Sequence, residues 1–197
     1  MAQAQRATRG CTAWPKDALR ISFGIIWLID AVLKWLPGFR SGYMSTILGT
    51  AAGQPGWLRW WFDFWIRIQH PQAMFFAYLV AAAETLIAMA LLAGFARKLT
   101  YIAAAGFSVL IWATAEGFGG PYTSGASDIG TAVIYAVVFA GLLALSYYAG
   151  PARYSADYYL ERKYSWWWRL AEMRRPAPPL AAAATPEDTA AGQPHAA

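Results

Sequence analysis

Four apolar runs set the limits on what this chain can fold into: Ala18–Trp35, Gln72–Phe95, Leu99–Ala115 and Asp128–Tyr148. Each comes close to the ~20 mostly apolar residues that a helix needs to cross a bilayer. Between and around them only 14% of the 197 residues are charged, where a soluble domain of ordinary composition carries roughly a quarter. The expected fold is therefore all-α, a polytopic membrane protein built as a four-transmembrane-helix bundle. The first run reads as a permanent anchor. It is longer than a signal core, contains Asp30 and Lys34, and has no small-x-small cleavage pattern after it.

Basic residues orient the bundle through the positive-inside bias. Arg6, Arg9, Lys16 and Arg20 surround the start of the first run, and Arg97 and Lys98 separate the second from the third. Arg153, Arg162, Lys163, Arg169, Arg174 and Arg175 follow the fourth. Both termini are thus expected in the cytoplasm, and the protein in the inner (cytoplasmic) membrane. The domain organisation follows: a cytoplasmic tail over 1–17, a membrane domain over 18–149, a cytoplasmic-face segment over 150–175 read as an amphipathic helix held to anionic membrane lipid, and a disordered Ala/Pro-rich tail over 176–197. Nothing in this pattern points to nucleic acid.

The long outer connection is expected to hold a Gly/Ser/Thr-rich stretch, Ser41–Gly56, and then an interfacial helix over about 57–70, "WLRWWFDFWIRIQH". Helical spacing puts Arg59, Asp63, Arg67 and His70 on one narrow stripe, with Asp63 one turn from each arginine. The stripe is either the wet side of a membrane-surface strut or the roof of a site on the outer surface.

Cysteine and histidine usage removes several chemistries. The lone Cys11 excludes an internal disulfide and a thiolate metal cluster. His70 and His195 lie far apart and on opposite sides, so a bis-histidine haem from this chain is not expected, and no flavin or metal motif is visible. The glycine-rich "EGFGGPYTSGASDIG", Glu116–Gly130, has no preceding strand and a misplaced third glycine, and it lies on the outer face. It reads as a turn, with Asp128 capping the fourth helix.

The informative residues are ionisable groups inside the runs, where a charge costs at least ~2.5 kcal/mol on insertion scales. Asp30 and Lys34 are spaced for an i,i+4 pair, with Trp27 one turn before on the same face. Glu84 shares a stripe with Ala77, Ala81 and Ala88 and has no cation within a turn of its own helix. It must find a partner on another helix, and Lys34 is the nearest by depth. Asp30, Lys34 and Glu84 are expected to form one cluster in the outer half, with Glu116 and Tyr122 above it.

"RISFGIIWLIDAVLKWLPGF" (Arg20–Phe39), "AETLIAMALLAGFARKLTYIAAAGFSVLIWATAEGFGGPY" (Ala83–Tyr122) and "GASDIGTAVIYAVVFAGLLAL" (Gly125–Leu145) together resemble the DoxX/DoxD family of small four-helix membrane proteins. "EGFGGPY…GASDIG" is similar to the DoxD branch, the membrane subunit of thiosulfate:quinone oxidoreductase. The resemblance implies oxidation of thiosulfate to tetrathionate at the outer face, quinone as electron acceptor, and a DoxA-like partner subunit. Under that implication Asp30, Lys34, Glu84 and Glu116 carry the chemistry. Arg40, Arg59, Arg67, His70, Tyr122 and Asp128 hold substrate, and Trp27 and Trp112 wall the quinone. Two other readings stay open: a non-catalytic anchor or assembly subunit of a redox complex, and a small-solute or proton pathway lined by a homo-oligomer.

Overall fold

A computed structural model describes residues 2–120, 128–148 and 154–174, with side chains from residue 14 onward. It is all-helical, and no strand occurs among the described residues. The long helices are α1 (Ala2–Lys34), α4 (Ala73–Ala93), α5 (Arg97–Thr114) and α6 (Thr131–Tyr148). Between α1 and α4 lie α2 (Pro37–Ala52) and α3 (Arg59–Gln69), and after α6 come the short α7 (Ala156–Lys163) and α8 (Trp168–Ala171). The predicted tail from residue 176 lies outside the described residues.

Most of the Gly/Ser/Thr-rich stretch Ser41–Gly56 lies in α2, Pro37–Ala52, a helix not expected from the sequence. Pro37 starts it at the first helical position, where its missing N–H costs nothing. Its hydroxyls bond back onto their own helix: Ser45 Oγ donates to the Gly42 carbonyl at 2.8 Å and Thr46 Oγ1 to the same carbonyl at 3.1 Å. Packing against α4 and α3 is what holds the segment as helix. The predicted interfacial helix is present as α3, one or two residues shorter at each end.

α1 packs along α4 and α5 along α6. Ala77, Ala81 and Ala88 of α4 are each fully buried, so the small-residue stripe read from the sequence is the contact face. The core joins all four helices through Phe23, Trp27, Leu91, Tyr101, Phe139 and Leu142. Phe139 stands edge-on to both Phe23 and Trp27, with centroids 5.0 and 5.2 Å apart.

Burial is otherwise inverted relative to a soluble protein. Arg20, Glu84, Arg97 and Asp157 are 0–1% exposed, while Ile29, Leu86 and Val137 are 59%, 71% and 67% exposed. Two stretches are long and apolar enough to cross a membrane, the helical run Gly56–Ala93 and Thr131–Tyr148. Only 33% and 22% of their most apolar windows are buried, which is not the pattern of a soluble core helix.

Tight turns close the bundle. At the α4–α5 turn, Gly94 takes φ +62 as the left-handed cap of α4, and its amide bonds the Leu91 carbonyl at 3.2 Å. At the α5–α6 turn, Gly130 takes φ +93, and a Cβ there would stand 2.6 Å from Glu116 Oε2. Gly117, Gly119 and Gly130 all take left-handed backbone, and a Cβ at each would meet a neighbour at 2.0–2.6 Å, so these three serve the turn.

Candidate functional site

The cavity between the long helices, at the α2–α3 end of the bundle, is built first by α1. Helical geometry stacks Trp27, Asp30 and Lys34 on one face, and Lys34 Nζ lies 3.2 Å from both Asp30 oxygens. Across the α1–α4 contact the same ammonium meets Glu84 Oε2 at 3.7 Å. The expected cluster is thus present, with Lys34 bridging two carboxylates on two helices. Glu84 is 1% exposed, while the Asp30 side chain retains 42% exposure. Register between α1 and α4 is held close by, where Trp35 Nε1 donates to Thr85 Oγ1 at 3.0 Å.

Helices α2 and α3 cover this cluster. Tyr43 OH donates to Gln69 Oε1 at 2.7 Å, joining the two covering helices. Thr50 Oγ1 donates to the Ala115 carbonyl at 2.9 Å, Gln54 Nε2 to Gly117 at 3.1 Å and Trp61 Nε1 to Ala113 at 2.7 Å. These three bonds satisfy carbonyls at the end of α5 and tie the cover to the bundle. Beneath it lies a cavity of about 480 Å³, within the range of small-molecule sites. Its wall includes Trp27, Asp30, Lys34, Phe39, Tyr43, Glu84, Glu116 and Tyr135. Two buried side-chain atoms on this wall make no hydrogen bond: Trp27 Nε1 and Glu84 Oε2, the latter held only by the longer ion pair to Lys34.

Several predicted residues have other positions. Glu116, expected above the cluster as one of the groups carrying the chemistry, lies on the cavity wall and caps α6: its two oxygens accept the Ala132 N–H at 3.2 and 3.0 Å. Asp128, expected to cap that helix, instead accepts the Gly130 N–H at 2.7 Å, a local turn two residues long. Glu116 reaches the helix start because α5 delivers it there, which linear spacing does not reveal. Trp112 is not on the cavity wall. Its indole donates to the Ile129 carbonyl at 2.7 Å, and its ring meets Phe118 edge-on at 5.2 Å.

Arg59, Asp63, Arg67 and His70 are exposed and away from the cavity, and no ion pair links Asp63 to either arginine among the described residues. The opposite side of α3, with Phe62 and Gln69, faces inward. Arg40 also stays outside, bonded to Tyr78 OH with its guanidinium 5.2 Å from the Tyr78 ring centre. Tyr122 lies outside the described residues. The reading missed Phe39, Tyr43 and Tyr135. The small-residue rule that placed Glu84 also finds Tyr135, since Ala132 and Ala136 are the buried small residues beside it on α6.

A second charged cluster, at the opposite end, was not anticipated. Asp157 of α7 is fully buried and accepts the N–H groups of Ala96 and Arg97 at 2.7 and 3.0 Å, capping α5 from another part of the chain. It also takes Arg97 Nε at 3.0 Å and Trp167 Nε1 at 2.9 Å. Arg97 pairs with Glu172, and Arg20 donates to the Leu91 and Leu92 carbonyls at the end of α4. Ser155 Oγ donates to the Gly94 carbonyl at 2.7 Å. The segment read as one lipid-bound amphipathic helix is therefore two short helices docked on the α4–α5 turn by buried charge. Burial, and then the neighbouring Glu172, push the Glu161 carboxyl up to about 7. Burial, and then Arg97, bring the Lys16 amine down to about 8. No metal-holding group of His, Cys, Asp and Glu occurs among the described residues. Compared with family models, curated proteins and solved structures, the chain matches none.

Proposed function

We propose that this chain is a four-span membrane protein with both termini in the cytoplasm, acting as the membrane subunit of a thiosulfate:quinone oxidoreductase. Support for four spans comes from exposure: Ile29 and Val32 on α1, Leu86 on α4, Leu99 and Val109 on α5 and Val137 on α6 all face outward. At 1.5 Å per residue, the 18 to 21 residues of α4, α5 and α6 reach about 27–32 Å, the thickness of a hydrocarbon core. α1 and α5 are less apolar because they carry the inward-facing polar groups, Arg20, Asp30 and Lys34 on one and Arg97, Thr100 and Ser108 on the other.

The observation that carries the redox reading is the cavity holding a Lys34–Glu84 ion pair beside an indole N–H that has no acceptor. A buried donor without a partner leaves roughly 1–3 kcal/mol unrecovered. A quinone headgroup, with two carbonyl acceptors, fits Trp27 Nε1 and Lys34 Nζ. Such a headgroup takes up two electrons and two protons on reduction, and oxidation of two thiosulfates to one tetrathionate releases two electrons. Lys34 orients and polarises a carbonyl, and Asp30 and Glu84 hold and pass protons beside it. Phe39, Tyr43 and Tyr135 limit water around the ring.

Thiosulfate itself suits a different place. The cavity sets three carboxylates against one ammonium, which repels a dianion. The exposed Arg59 and Arg67 of α3 are the cations left for it, on the face where a DoxA-like partner would sit. Purified protein with such a partner is expected to reduce a soluble quinone when thiosulfate is added. Glu84→Gln and Lys34→Met should each cut that rate at least tenfold and weaken quinone binding. Unchanged turnover in both variants would end the proposal. A non-catalytic anchor is the second reading, favoured by the Arg97–Asp157–Glu172 network, whose charges are all engaged in holding helices together. Co-purification with an oxidoreductase, without thiosulfate turnover or quinone binding, would select it.

A further inference from the structure

The charge that turns a dianion away from the cavity also favours a ligand of the opposite sign. Asp30 and Glu84 share one ammonium, and Glu116 lies on the same wall with its charge directed to the start of α6. Glu84 Oε2 is buried and accepts no hydrogen bond. The surrounding wall is aromatic, with Trp27, Phe39, Tyr43 and Tyr135. Aromatic faces and carboxylates together are the setting in which organic cations are held. The cavity already displays that chemistry, because Lys34 Nζ stands 5.2 Å from the Phe39 ring centre while paired with both carboxylates.

We infer that this cavity binds an organic cation of ammonium type, seated against Glu84 and the aromatic wall in competition with the Lys34 side chain. The inference rests on the proposed function only in taking the cavity as open to ligand. No electron or proton transfer is part of it. Lys34 acts in opposite senses in the two cases: it donates to a neutral carbonyl ligand and competes with a cationic one. An amine of this class would thereby inhibit quinone access to the site.

The test is equilibrium binding of phenyltrimethylammonium to the detergent-solubilised full chain by calorimetry. tert-Butylbenzene serves as the uncharged analogue of the same shape, and thiosulfate as the anion. Saturable binding of the cation is expected, at least tenfold tighter than the neutral analogue, with no thiosulfate binding competitive with it. Glu84→Gln should weaken it at least tenfold, and Lys34→Met should strengthen it severalfold. The Lys34 variant reads out even if the Glu84 variant does not fold, and its sign is opposite to that expected for quinone. Absence of saturable binding, equal binding of the neutral analogue, or weaker binding in Lys34→Met would overturn the inference. Loss of quinone reduction with cation binding intact would instead remove only the redox reading.

Discussion

Four side-chain hydrogen bonds converge on Asp157. Its two oxygens accept two backbone amides, a guanidinium and an indole, all in the dry interior. Replacing it with alanine uncaps α5 and leaves the Arg97 charge with Glu172 alone; breaking a buried pair outright costs about 3–5 kcal/mol, which bounds the loss. Thermal unfolding in detergent should show Asp157→Ala as a large loss, while the exposed Asp63→Ala leaves the midpoint unchanged. Glu116 gives a smaller effect of known sign. Glu116→Gln keeps the shape but gives up the negative charge at the start of α6, an expected loss of about 0.3–1 kcal/mol by the same measurement. Glu84 needed no tertiary information to be singled out, since a carboxyl on an alanine stripe of an apolar helix must face protein. Asp157 did, because an acid five residues before an Arg-Lys pair in a polar segment looks like any solvated helix side.

At the scale of elements, the docking of α7 and α8 on the α4–α5 turn depends on protons. Glu161 faces Glu172, Asp157 and Arg97, and Lys16 faces Arg97, Arg20, Asp17 and Glu172. A carboxyl raised to about 7 binds a proton in the docked state that it releases once free, near its ordinary 4.5. Its contribution is full below about 4.5 and is lost as pH rises to about 7. A lysine brought down to about 8 from 10.5 works the other way, favouring docking progressively above 8. Docking is therefore weakest between about 7 and 8. Hydrogen exchange of α7, corrected for intrinsic rates, should show greater protection at pH 5.5 than at pH 7.5; equal protection would refute this. The element pattern of the long helices was legible because apolar length and basic flanks are local properties. α2 was not, since its glycines, serines and threonines weigh against helix until the cover it forms over α1 and α4 is seen.

For the whole molecule the consequence is sidedness. With four spans, Cys11 should react with an impermeant maleimide only after the membrane is opened, and a cysteine placed at the exposed Trp57 should react in intact cells. The reverse pattern would invert the orientation and put the cavity at the cytoplasmic end. Composition and spacing by themselves determined the helical class, the long apolar helices, the inward alanine stripe and the meeting of Asp30, Lys34 and Glu84. Each follows from hydrophobic period and from the cost of charge in an apolar setting, both readable along one strand of text. Only the tertiary structure decided that Glu116 rather than Asp128 caps α6, that the α3 arginines turn away from the cavity, and that a distant carboxylate caps α5. Those outcomes depend on which helix end meets which side chain across space, and chain separation carries no information about that distance.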